Sequence, residues 1–216
     1  MITVTGFRWV PPFIQGLVRD LRVRWALEEA GLPYREKLIG PEDQASAEYR
    51  ALQPFGQVPV FEEDGFTLFE SGAIVMHIGE RTETLLPRDP HARARTNAWM
   101  FAALNSVEPA LGMLGQVEMA RDAEWAKLRR PAALEFAKKR LVAVSNWLRD
   151  REYLEGRFTA ADLLMTTVFR NIRHMDEVWA ELPDLVAYRA RCEARPAFAK
   201  ALAAQMAAFE RNAPRK

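Results

Sequence analysis

Residues 52–71, LQPFGQVPVFEEDGFTLFES, leave this chain few ways to fold. Two apolar runs, 58–61 and 66–69, flank the acidic, glycine-bearing turn 62–65, which is the pattern of a β-hairpin. Pro59 has no N–H to give to a ladder, so it fits only the mouth or the edge of a strand. At the far end, Glu70-Ser71 closes the second strand and opens a helix expected over 72–81. Ser71 is expected near its N-cap, where the first N–H groups of the helix lack intrahelical partners and form an anion pocket. An X-Pro alone is usually a turn, and a Glu-Ser alone is usually a cap. The information lies in their sharing one hairpin.

The rest of the chain narrows the classes. With 216 residues and 49% hydrophobic content, one large domain or two small ones can bury a core. A net charge of +1 gives no bulk attraction to nucleic acid or an anionic membrane. No apolar run approaches the ~18 residues of a spanning helix. The start, MITVTGFRW, lacks the basic-then-apolar form of a signal peptide. The single cysteine, Cys192, forbids an internal disulfide and fits a reducing compartment, so a cytoplasmic location is expected. His77, His91 and His174 stand far apart without a cysteine cluster, and no metal is expected.

In chain order, alternation over 2–7 reads as a strand. The loop RWVPPFIQG follows, and then an amphipathic helix over 17–30 that stops at Gly31 and Pro33. A strand over 34–39, a polar helix over 42–51, the hairpin and the 72–81 helix complete a βαβαββα order. Residues 82–90, TETLLPRDP, form a proline-bearing break. The expected division is therefore a domain over 1–81, a linker over 82–90 and an all-helical domain over 91–216. In the latter, long helices are expected over 91–120 and 124–149, with Pro131 kinking or breaking the second. Phe158-Thr159-Ala160-Ala161-Asp162 then forms a capping box before an apolar helix, with Phe158 as a staple. Helices over 182–194 and 196–209 close the chain.

Val58-Pro59 and Glu70-Ser71 at this spacing, the segment RVRWALEEAGLPYRE and the capping box together resemble the soluble glutathione S-transferase family, in a bacterial-like form. The resemblance covers nearly the whole chain. It implies an α/β thioredoxin-like N-terminal domain, an all-α domain after it, and a homodimer. It also implies glutathione as co-substrate, held by Gln57, Val58 and a cis Pro59, with Glu70 toward the ammonium and Ser71 toward the carboxylate of the γ-glutamyl end. The implied activity is attack by the glutathione thiolate on a small hydrophobic electrophile, or a related isomerisation or dehalogenation.

One departure stands out. Members of this family usually place a Tyr, Ser or Cys after the first strand to stabilise the thiolate, and none occurs between Met1 and Leu21. Trp9 and Arg8, which follow the first strand directly, are the favoured candidate donors, with Thr5, Gln15 and Arg19 also on offer and the N-terminus of the 17–30 helix adding its dipole. The competing reading is that Trp9 and Phe13 only wall a pocket and that Arg19, Arg22 and Arg24 form a solvated face. An electrophile pocket is expected between the domains, with Phe13, Trp99, Phe101, Asn105 and Met113 as candidates. Disulfide exchange is disfavoured, because Gln15, Gly16 and Leu17 occupy the place of a nucleophilic cysteine. A non-catalytic glutathione-binding or interaction protein on the same fold is the alternative.

Overall fold

The computed structural model describes residues 1–214. Its contacts divide the chain into two compact units: Met1–Leu86 together with the chain from Arg195 onward, and Pro87–Ala194. The first unit opens with β1 (Ile2–Phe7), α1 (Asp20–Ala30), β2 (Tyr34–Ile39), α2 (Pro41–Ala45), α3 (Ala47–Leu52), β3 (Val60–Glu63), β4 (Phe66–Phe69) and α4 (Ser71–Gly79). Its sheet runs β2-β1-β3-β4, with β1 parallel to β2 and antiparallel to β3, and β3 antiparallel to β4. This is the expected thioredoxin-like order.

The helical unit contains α5 (Pro90–Phe101), a π-helical stretch (Ala102–Val107), α6 (Glu108–Met119), α7 (Glu124–Leu148), α8 (Ala160–Phe169), α9 (Asp176–Trp179) and α10 (Pro183–Glu193). The helix expected over 91–120 is therefore interrupted. Pro109 has no N–H to bond the carbonyl of Asn105, and the chain widens into a π turn just ahead of it. Pro131 does not break α7, because it and Lys127, whose carbonyl it leaves unbonded, are both exposed to water. The final helix, α11 (Pro196–Arg211), belongs to the first unit rather than to the helical one.

Two further boundaries differ from expectation for local reasons. The polar helix over 42–51 splits at Ser46, whose hydroxyl accepts from the Tyr49 N–H at 3.1 Å and so starts α3 afresh. The helix expected from residue 17 begins at Asp20, after a stretch of turns.

In the first unit, α1 lies in the core, with Leu21, Val23, Trp25 and Leu27 essentially inaccessible. It is also a charged helix with its charges inside. The Arg24 guanidinium, 1% exposed, bonds Asp20 at 2.7 Å and Glu36 of β2 at 2.5 Å. Gly6 of β1 allows this: a Cβ there would stand 2.8 Å from Asp20 Oδ2. Helix α11 is fastened to the same element. Gln205 donates to Asp20 at 2.6 Å, Arg195 forks onto Glu29 at 2.6 and 2.7 Å, and Phe198 meets Trp25 edge-on with centroids 4.8 Å apart. Among the described residues no helix is long and apolar enough to cross a membrane.

The helical unit is organised around the start of α8. Thr159 caps it, and the buried Asp162 carboxylate accepts from the N–H groups of Thr159 and Leu154 and from the Tyr188 hydroxyl, each at 2.9 Å. Removing the cap alone, Thr159→Ala, is expected to cost about 1 kcal/mol. Asp162→Ala strands two buried N–H groups and a buried hydroxyl and is expected to cost ~3 kcal/mol or more. Urea unfolding of the two variants tests both the values and their order.

Candidate functional site

The hairpin sets the geometry. Asp64 and Gly65 turn the chain with φ of 49° and 85°, the positive values that a two-residue hairpin turn requires. The resulting register pairs Val60 with Phe69 and Glu63 with Phe66. One step beyond the Val60–Phe69 pair, Pro59 and Glu70 leave the strands side by side. The Val58–Pro59 and Glu70–Ser71 pairs therefore emerge at the same end of the sheet. The Val58–Pro59 peptide bond is cis, as expected. The expected strand start at 58 moves to Val60, because the cis turn takes the two preceding residues out of the ladder.

The loop before the cis bond is held by side chains that sequence reading missed. The Tyr49 hydroxyl donates to the Gln57 carbonyl at 2.6 Å, and Gln44 donates to the Gly56 carbonyl at 2.5 Å. Burial, with a smaller contribution from Glu62, raises the Tyr49 pKa, so this donor stays protonated. Val58 is buried in the cluster it shares with Tyr49 and Val60, while the Gln57 side chain is exposed. A tyrosine in an otherwise polar helical segment was the available signal.

Across the hairpin end, Glu70 rather than Ser71 occupies the N-cap of α4, and Ser71 is the first helical residue. Glu70 is exposed and takes φ 69°, ψ 112°, a conformation that side-chain-bearing residues rarely adopt and that clusters at functional sites. No side chain caps α4. Ser71 is 5% exposed, and its Oγ accepts from Nη1 of Arg22 at 3.2 Å. Arg22 and Arg24 are thus not a solvated face; only Arg19 of the three is exposed.

The three thiolate candidates fall in different places. Trp9 is half-buried and packs against the cluster that contains Val58. Arg8 is exposed and pairs with Glu42 and Asp43 of α2 at 3.0 and 3.2 Å. Thr5 is fully buried in β1 with its hydroxyl unpartnered, and with no exposed surface it reaches a bound thiol only if the strand moves. The start of α1 is also less open than a helix beginning at 17 implies. The Leu21 and Arg22 N–H groups donate to the Val18 and Arg19 carbonyls, and the first turn already holds the Asp20 carboxylate.

Trp9 also lines a cavity of about 500 Å³ with Pro12, Gln15, Met206, Phe209 and Glu210. The part taken by α11 departs from the division expected from the sequence, which puts that helix in the other domain. Phe13 is exposed on the same loop. In the helical unit, Trp99 meets Trp147 at a tilt of 50° with centroids 5.2 Å apart, Asn105 is exposed in the π-helical stretch, and Phe101 is exposed. Cys192 is buried, and burial pushes its thiol up to about 12, so it is no nucleophile. Among the described residues no group of three or more His, Cys, Asp or Glu is placed to hold a metal.

Residues 14–80 match the family model for the glutathione S-transferase N-terminal domain. A Rhizobium meliloti protein named maleylacetoacetate isomerase is 33% identical over 190 residues, covering 83% of this chain and 89% of that protein. The Nicotiana tabacum glutathione S-transferase PARB is 30% identical over 185 residues, covering 75% and 83%. Among solved structures, a glutathione transferase family member from Pseudomonas fluorescens with two glutathione bound superposes with TM-score 0.81 at 26% identity, over 93% of this chain and 92% of that one.

Proposed function

Because this chain belongs to the glutathione S-transferase family, we propose that it binds reduced glutathione at the open end of the β3–β4 hairpin and presents the thiol to a small apolar electrophile. The observation that carries this reading is the register, which sets cis Val58–Pro59 beside Glu70-Ser71 at the head of α4. In the proposed complex the Val58 main chain pairs with the cysteinyl unit as an added strand would. Gln57 meets the glycine end. Ser71 and the first N–H groups of α4 take the γ-glutamyl carboxylate, and Glu70 takes its ammonium. An acid for the ammonium and donors for the carboxylate, one residue apart, suit an α-amino acid end.

For chemistry, the thiol pKa must fall by ~2 units, about 2.7 kcal/mol. The reading assigns the side-chain part to the Trp9 indole N–H. Arg8 is engaged by two carboxylates, and Thr5 is sealed in the sheet. The thiolate then attacks an electrophile seated in the cavity beside Trp9, where Pro12, Met206 and Phe209 offer apolar walls. Phe13 is the proposed outer wall.

A second reading is favoured by the identity to the protein named maleylacetoacetate isomerase. In it the thiolate adds to one carbon of an electron-poor double bond, the adduct rotates about the resulting single bond, and the thiolate leaves again. Conjugation consumes one glutathione per turnover and isomerisation consumes none, so a thiol count during turnover separates them. Binding without turnover of either kind of substrate returns the non-catalytic alternative.

Four outcomes are expected. In a thermal-shift titration, glutathione at ~100 Kd stabilises the wild type by about 2.7 kcal/mol. For this size that is a shift of roughly 5–11 °C. Ser71→Ala is expected to weaken binding by about tenfold or more, and glutathione binding unchanged in that variant rejects the pocket. Trp9→Phe keeps the ring but loses the N–H. It is expected to raise the apparent thiol pKa in the pH–rate profile by about one unit, with the glutathione Kd held. An unmoved profile removes Trp9 from the mechanism. The chain is further proposed to assemble as a homodimer, so size-exclusion chromatography with light scattering should give twice its 24.6 kDa.

A further inference from the structure

Arg22 stands outside everything assigned so far, yet it is the charged side chain in contact with the proposed anion-binding hydroxyl. It projects from the first turn of α1, is 4% exposed, and places Nη1 3.2 Å from Ser71 Oγ, itself 5% exposed. A guanidinium carries five N–H donors and no acceptor, and it does not lose its proton in proteins. The Ser71 oxygen is therefore the acceptor in this bond. A serine hydroxyl has one proton, and with its oxygen engaged by Arg22 that proton is left to point elsewhere. The helix start supplies N–H donors, not acceptors, so the hydroxyl proton has no use for them. What suits it is an acceptor arriving from outside.

We propose that Arg22 is a positioning residue that fixes Ser71 as a hydrogen-bond donor toward the γ-glutamyl carboxylate; this rests on the glutathione reading above. Two effects combine. The bond removes the alternative in which Ser71 turns back onto its own backbone, a habit of serine at helix starts. It also polarises the hydroxyl, because a group that accepts from a cation donates more strongly in a low-dielectric setting. Arg22 acts through Ser71 and need not touch the ligand. Since the two groups are fixed before any ligand arrives, the site is preorganised, and the cost of ordering the hydroxyl is met in folding.

The test is a double-mutant cycle on glutathione affinity, read by isothermal titration calorimetry on wild type, Ser71→Ala, Arg22→Met and the double variant, each checked for a cooperative melt. Arg22→Met is expected to weaken glutathione about tenfold alone and less than twofold once Ser71 is alanine. Full multiplication of the two losses overturns the inference, and so does wild-type affinity in Arg22→Met. If Ser71→Ala itself binds as well as wild type, the pocket reading fails and the inference falls with it. Should Arg22→Met not fold, Arg22→Lys is titrated with glutathione and with its analogue lacking the γ-glutamyl α-carboxylate. Lysine keeps a donor of different reach, so the preference for glutathione over the analogue should shrink several-fold. An unchanged preference overturns the inference.

Discussion

A guanidinium taken out of water must find acceptors, or the element that bears it does not pack. Helix α1 carries two such groups inside, and much of the first unit is arranged to receive them. Arg24 draws Asp20 from its own helix and Glu36 from β2 into one buried network, and Gln205 of α11 completes the Asp20 end. Arg22, two residues away, reaches the head of α4 instead. One helix thus ties the sheet, the last helix and the proposed anion site together through charges rather than apolar contacts alone. Such networks specify a unique arrangement because each member has few geometries that satisfy it.

The hairpin supplies the other half. Its two-residue turn fixes register, and register decides which residues leave the strands together. A one-residue slip would separate Pro59 from Glu70 and turn Ser71 away from Arg22. Tyr49 and Gln44 hold the preceding loop by its carbonyls, so the cis turn is presented by a braced segment. The strained backbone at Glu70 lies at the same end, an outlier of the kind that clusters at functional sites and persists because the surrounding structure holds it.

What could not be read in advance follows a pattern. Arginines at 22 and 24, among other charges, look like a solvated stripe, and only the contacts with Ser71, Asp20 and Glu36 reveal them as interior. Leu17 and Val18 continue the apolar periodicity and so extend the apparent helix three residues before its start at Asp20, although Leu21 and Arg22 bond back to Val18 and Arg19 in a tighter turn. The long helix over 91–120 hid its π-helical stretch because the residues buried within it, Ala103 and Val107, stand at the i, i+4 spacing that an α-helix also gives. Arg8 was attractive by position alone; Glu42 and Asp43, more than thirty residues on, draw it to α2.

By itself the sequence determined the hairpin, the strands over 2–7 and 34–39 and the capping box at Thr159, while the cis form of Pro59 was implied only by the family resemblance. The first three are local: alternation, turn chemistry or a cap is written within a few residues. Only the tertiary structure decided that α11 belongs with the first unit, that Arg22 and Arg24 are buried, and that Arg22 meets Ser71. Arg22 meets its partner 49 residues on and α11 reaches Asp20 across 185, while Arg24 needs Glu36, 12 residues on in another strand, as well as Asp20 in its own helix. Burial of charge is a property of the whole set of partners a fold assembles, and no short window along the chain contains that set.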